Sequence, residues 1–227
     1  MNATNTLKSD AKMEIEARVS ELEKHTSAEV VCAIATESGR YDRAESLFGI
    51  AVSCIALFAA HLLFVNSNVP VESWGAPPAL HVGWQALIVV SGFVVGSALA
   101  SYCHLLRRPF VLGEELEHET GRAAQHVFSA QRLRSTRGSG GLLIYLSLFE
   151  QRIRLVADDG ALKAVPEEVL KNLTDQVAPK LKANDVKGAL MFLLDELAPR
   201  LADALPCDDP DNDNELANEV LVFHPRP

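Results

Sequence analysis

The chain has 227 residues, 48% of them hydrophobic, with a formal net charge of −9 and a pI near 5.3. That length gives one good core. The charge argues against a nucleic-acid partner, because phosphate backbones are met by surfaces rich in Lys and Arg and no basic stripe is present. Four scattered cysteines (Cys32, Cys54, Cys103, Cys207) form no CxxC pair, so neither a zinc site nor a disulfide framework is indicated, and free thiols in a reducing compartment are expected.

The first twenty-six residues have no apolar segment behind their charges, so the reading is of a chain without a secretory signal. Between Leu7 and Lys24, the residues Met13, Ile15, Val19 and Leu22 mark one apolar stripe, which predicts an amphipathic helix. The run AEVVCAIATE is short and rich in β-branched residues, as a strand is.

Residues 46–65 and 83–103 are long enough and apolar enough to cross a bilayer, and Trp84 stands where an interfacial anchor belongs. The loop 66–82 between them holds no Lys or Arg, whereas Arg40 and Arg43 precede the first span and Arg107 and Arg108 follow the second. The positive-inside rule then puts both termini in the cytoplasm, at an inner (plasma) membrane. Gly92, Gly96 and Ala100 form a smooth strip that suits packing against the first span or, alternatively, a homodimer contact.

Beyond the second span, EELEHETGRAAQHVFSAQRL reads as a helix buried through Ala123, Val127 and Ala130. Leu142–Leu148 is apolar at nearly every position, as in a central strand, while Gln151–Val156 alternates Arg out with Ile and Leu in, nearer an edge. Pro166 opens one helical pattern, and NDVKGALMFLLDELAPRLADAL is another. The tail PCDDPDNDNELANEVLVFHPRP reads as acidic and mostly irregular. Its DPDND opening lacks the glycine and closing Glu of an EF-hand loop.

The expected architecture is an α/β (α+β) sandwich, a small sheet covered by helices, with an inserted two-helix transmembrane hairpin. The domain plan has residues 1–44 as a first part, 45–104 as the hairpin, 105–206 as the second part and 207–227 as the tail.

Several fragments coincide in order: HTSAEVVCAIA, SGRYDRAE, FSAQRLRSTRGSGGLLIYLSLFEQRIRLVADDG and NELANEV. Together they resemble the TPM-domain family, named partly for a thylakoid-lumen protein described as a phosphatase, and within it the bacterial members whose domain is interrupted by two spans. The matching positions are Thr26, Glu29, Thr136, Ser147, Glu150, Asp158, Gly160, Asn214, Glu215 and Leu216. Ala217 departs from a proline common in the family, and Val169 and Leu170 from a tryptophan. The resemblance implies divalent-metal binding in some members and phosphate-ester hydrolysis in few.

Asp158 and Asp159 follow a strand, and paired carboxylates suit a hard cation such as Ca²⁺ or Mg²⁺ if further oxygens converge. Glu29 or Thr26 completes such a site if the first strand lies beside the third. The expected function is an accessory binding or assembly module held at the cytoplasmic face of the membrane, with the lipid bilayer and a membrane protein as partners. The alternative is a divalent-metal-dependent phosphatase.

Overall fold

The computed structural model describes residues 2–68, 80–133, 140–207 and 218–227. The acidic DPDND segment and the family-like positions Thr136, Asn214, Glu215 and Leu216 lie outside them. The chain divides into two compact units, Met1–Gly39 with Glu114–Pro227, and Arg40–Gly113.

The first unit is built on a mixed four-stranded sheet, β3-β2-β1-β4, from β1 (Glu29–Ala35), β2 (Gly141–Ser147), β3 (Arg152–Ala157) and β4 (Leu221–Phe223). β1 runs parallel to β2 and to β4, while β2 and β3 are antiparallel. All seven residues of β1 and all seven of β2 are buried, because both faces of these central strands are covered. On one face, Val30, Cys32, Ile34, Leu142, Ile144 and Leu146 pack against α2 (Ser9–Glu23), α8 (Glu167–Lys182) and α9 (Val186–Ala204). On the other, Val31, Ala33, Leu143 and Tyr145 pack against α6 (Gly113–Ala130). Alternation along each strand thus feeds two helical layers with one sheet between them.

Several details differ from the sequence reading. Met13 is 57% exposed, so α2 docks through Ile15, Val19 and Leu22 alone. α6 docks through Ala123, Ala124, Val127 and Phe128, with Ala130 turned outward. Arg152 and Arg154 of β3 do not simply face water: both pair with Glu117 of α6. The tail is not irregular throughout, because Leu221–Phe223 adds to β1 as the short edge strand β4. Two short helices, α1 (Ala3–Thr6) and α7 (Asp159–Ala164), are too brief to carry a periodic signal.

The second unit holds two long helices, α3 (Asp42–Asn68) and α4 (Val82–Tyr102), followed by the single turn α5 (His104–Arg107) and a 3₁₀ turn, Arg108–Phe110. Both long helices are long and apolar enough to cross a membrane, and only 11% and 6% of their apolar stretches are buried. A core helix of a soluble domain buries its apolar side chains; here Phe58 and Leu63 stand 66% and 70% exposed. α3 and α4 touch through small residues. A Cβ on Gly96 would lie 2.9 Å from the Cα of Gly49, and one on Gly92 would lie 3.0 Å from the Cα of Ser53. The Ser53 hydroxyl donates across the pair to the carbonyl of Val89 at 3.0 Å. Gly92, Gly96 and the buried Ala100 therefore line the hairpin's own helix contact. Within this unit, Arg40–Gly113, Arg107 is bound back to Glu45 at 2.7 Å.

Candidate functional site

The register of β2 and β3 sets Asp158 directly opposite Gly141, where each strand meets its loop. The Gly141 amide donates to Asp158 Oδ2 at 2.9 Å. Oδ1 accepts from the amides of Gly160 at 3.1 Å and Ala161 at 2.9 Å, which makes Asp158 the N-cap of α7. One buried carboxylate thus satisfies three main-chain donors that would otherwise be stranded at a helix start and a strand end. A Cβ on Gly141 would sit 2.2 Å from the Leu133 carbonyl oxygen, so glycine lets the Leu133 backbone approach the start of β2.

Asp159 is the first residue of α7 and is exposed. Glu29 opens β1 opposite Gly141, so Glu29 and Asp158 come to the same end of the sheet. The first strand does not lie beside the third, however: β2 stands between β1 and β3. The Thr26 hydroxyl is taken up in the fold, donating to the Leu205 carbonyl at 2.6 Å past the end of α9. Among the described residues, no three His, Cys, Asp or Glu side chains are grouped so as to hold a metal ion.

The opposite end of the sheet carries a denser polar cluster, at the carboxyl ends of the parallel strands, where α/β folds gather ligands. Glu150, in the turn after β2, accepts the Ser38 amide on Oε1 at 2.7 Å and the Ser147 hydroxyl on Oε2. Ser38 Oγ and the Tyr145 hydroxyl are 3.0 Å apart. Burial pushes the Tyr145 phenol well above its ordinary value, and the Glu150 charge adds to the rise. Tyr145 therefore stays protonated.

Beside it, Glu37 Oε1 lies 3.3 Å from Arg226 Nε, and the Glu37 amide donates to the Pro225 carbonyl at 3.0 Å. Thr36 Oγ1 accepts the Ala3 amide at 2.9 Å and sits 2.9 Å from His224 Nδ1. These groups bind both chain ends to β1. The sequence reading noted Ser147 and Glu150 without a role and missed Glu37, Tyr145, His224 and Arg226, whose partners lie more than a hundred residues away.

A further acid, Glu23, ends α2. Its carboxyl is pushed up to about 8, first by burial and further by the charge of Glu29, although the Val30 amide donates to Oε1 at 3.0 Å. Cys32 nearby is pushed up to about 12 by burial and by Glu23, so its thiol is a packing group rather than a nucleophile.

Comparison with known proteins agrees with the architecture. The family model of the TPM domain matches residues 110–200. The solved structure described as the NMR structure of BA42 protein from the psychrophilic bacterium Bizionia argentinensis aligns over 95% of this chain and 94% of that chain, with a TM-score of 0.55 and 13% identity. At that identity the likeness is one of fold. No curated protein sequence matches the chain.

Proposed function

We propose that the protein is a membrane-anchored TPM module that binds or assembles a membrane protein at the cytoplasmic face, a reading supported by the match of the TPM-domain model to residues 110–200. α3 and α4 are the anchor, and the arginines at their base orient it with both termini inside. Tethering confines the module to the membrane plane and raises its effective concentration toward partners held there.

One observation carries the preference for binding over hydrolysis. Asp158 and Glu150, two of the buried acids at the ends of the sheet, spend both carboxylate oxygens on main-chain amides and a neighbouring hydroxyl. A hydrolytic cation needs several oxygens converging on one point, and a phosphatase needs a base facing its substrate.

The full chain, reconstituted in nanodiscs, tests this reading against the phosphatase alternative. Hydrolysis of a generic phosphate ester and thermal melting are measured with and without Mg²⁺ or Ca²⁺, for the native protein and for Asp158→Asn and Asp159→Asn. The module reading expects background turnover and one melting curve under all cation conditions. Cation-dependent turnover that either substitution abolishes would replace it with the enzyme.

A further inference from the structure

We propose that the open edge of β3 receives an extended strand of the membrane-protein partner, one that alternates acidic with apolar side chains. This deepens the binding reading above and rests on it.

The backbone makes the slot. β3 ends the sheet, with β2 on one side of it alone. The Asp158 amide donates to the Gly141 carbonyl at 2.9 Å, and that bond fixes which residues turn inward. Stepping back two at a time, Val156, Arg154 and Arg152 direct their amides and carbonyls at β2, opposite Leu143, Tyr145 and Ser147. Ile153, Leu155 and Ala157 direct theirs away from the sheet. Among the described residues, no group bonds to those outward amides and carbonyls, so water holds them. Donors and acceptors repeated at every second residue are what an incoming strand pairs with.

The side chains choose the strand. On the α6 side, Arg152 gives Nη1 to Glu117 Oε2 and Arg154 gives Nη2 to Glu117 Oε1, so one carboxylate serves two guanidiniums. Arg154 Nη2 also lies 3.5 Å from the Glu117 carbonyl oxygen. The second Nη of each arginine has no partner among the described residues. The remaining acids of α6 do not supply one: Glu119 meets Arg122 and His118, and neither Glu114 nor Glu115 pairs with Arg152 or Arg154. Both arginine side chains are about a third exposed, at 37% and 34%. On the opposite face, Leu155 and Ala157 are half-buried against the core.

A strand laid along this edge sets every second side chain beside Arg152 and Arg154, and the alternate ones beside Leu155 and Ala157. Carboxylates suit the first row, since the unused Nη groups offer charge-assisted hydrogen bonds, and apolar side chains suit the second. A second copy of the chain fits worse. Antiparallel pairing of β3 with β3 brings the arginines of both copies together on one face, with one Glu117 from each.

The test adds a fluorescein-labelled peptide of alternating Glu and Val, matched to β3 in length, to the full chain in phosphatidylcholine nanodiscs, with binding read by anisotropy. A Lys and Val peptide of the same pattern, and a fully N-methylated Glu and Val peptide that cannot pair as a strand, should each bind at least about tenfold more weakly. Arg152→Gln/Arg154→Gln should weaken the Glu and Val peptide by about tenfold and blunt its salt dependence. Leu155→Pro removes one outward amide and leaves the bonds to β2 in place, so it should abolish binding. Circular dichroism checks that this variant folds; if it does not, the methylated peptide on the native protein decides. Absence of binding, equal binding of the methylated peptide, or equal binding by native and arginine variants overturns the docking edge. A dimer in detergent that Leu155→Pro returns to monomer would place a second copy there and overturn the choice of occupant. Cation-dependent turnover in the hydrolysis assay above overturns the module reading instead, and the peptide titration is scored independently of it.

Discussion

Gly141 and Asp158 bind each other twice: the Gly141 amide donates to Asp158 Oδ2 at 2.9 Å, and the Asp158 amide donates to the Gly141 carbonyl at 2.9 Å. Replacing the side chain strands the Gly141 amide and uncaps α7 together. Asp158→Ala is expected to cost about 2–4 kcal/mol, the sum of a lost cap and an unsatisfied buried donor. Asp158→Asn, which retains one carbonyl oxygen, should cost less. Urea denaturation followed by circular dichroism reads both, and an Asp158→Ala protein as stable as wild type would remove the structural role assigned here.

Glu23 gives the sheet unit a pH dependence of defined sign. Its carboxyl rises from 4.5 to about 8 on folding, so between those values the folded chain holds a proton that the unfolded chain has released. The group's contribution is fully present below about 4.5 and is lost as pH rises toward 8. Glu23→Gln keeps an acceptor for the Val30 amide and carries no charge at any pH. The variant should gain stability relative to wild type as pH rises from 5 to about 8. Parallel melting curves across that range would show that Glu23 ionises as freely in the folded chain as in the unfolded one.

The helix contact in the hairpin leaves no room for side chains at Gly96. Gly96→Leu drives a branched group into the Cα of Gly49 and the Cβ of Val52, both 2.9 Å from where its Cβ must sit. Overpacking of that kind costs about 1–3 kcal/mol and separates helices that approach through small residues. A disulfide engineered across the pair should form readily in the native background and slowly in Gly96→Leu. Equal rates would mean that α3 and α4 pair by some other face.

Arg107 and Glu45 are expected to be strongly coupled. Removing either partner leaves the other charge poorly compensated in a buried place, a loss of about 3 kcal/mol or more for Arg107→Ala. A double-mutant cycle with Glu45→Gln, scored by thermal unfolding in detergent, should give a coupling energy above about 1 kcal/mol. Additive losses would reduce the pair to a surface contact.

What the sequence disclosed follows from where the determining contacts lie. Leu142–Leu148 reads as a central strand because burial on both faces demands a nearly continuous apolar run, and Leu142–Leu146 of β2 supply one. The two long apolar helices are legible for the same reason, since their composition answers to solvent alone. β4 is different: three residues after an acidic stretch become a strand only because Ala33–Ala35 offer them an edge. Glu150 shows only half its role locally, as Ser147 is three residues away but its other partner, Ser38, is 112 residues away. Asp158 was conspicuous in the sequence, but as a candidate ligand; its capping role depends on Gly141, which pairing places opposite it.

The hairpin lies inside the connection from β1 to β2, and those two strands form the centre of the sheet. A ribosome must therefore deliver both long apolar helices before the residues that complete the central pairing exist. β1 waits unpaired through their synthesis, and β4 follows only after α9. Assembly of the sheet is in this way timed by the hairpin: any stall while its two long apolar helices are made leaves an apolar strand waiting without its neighbour.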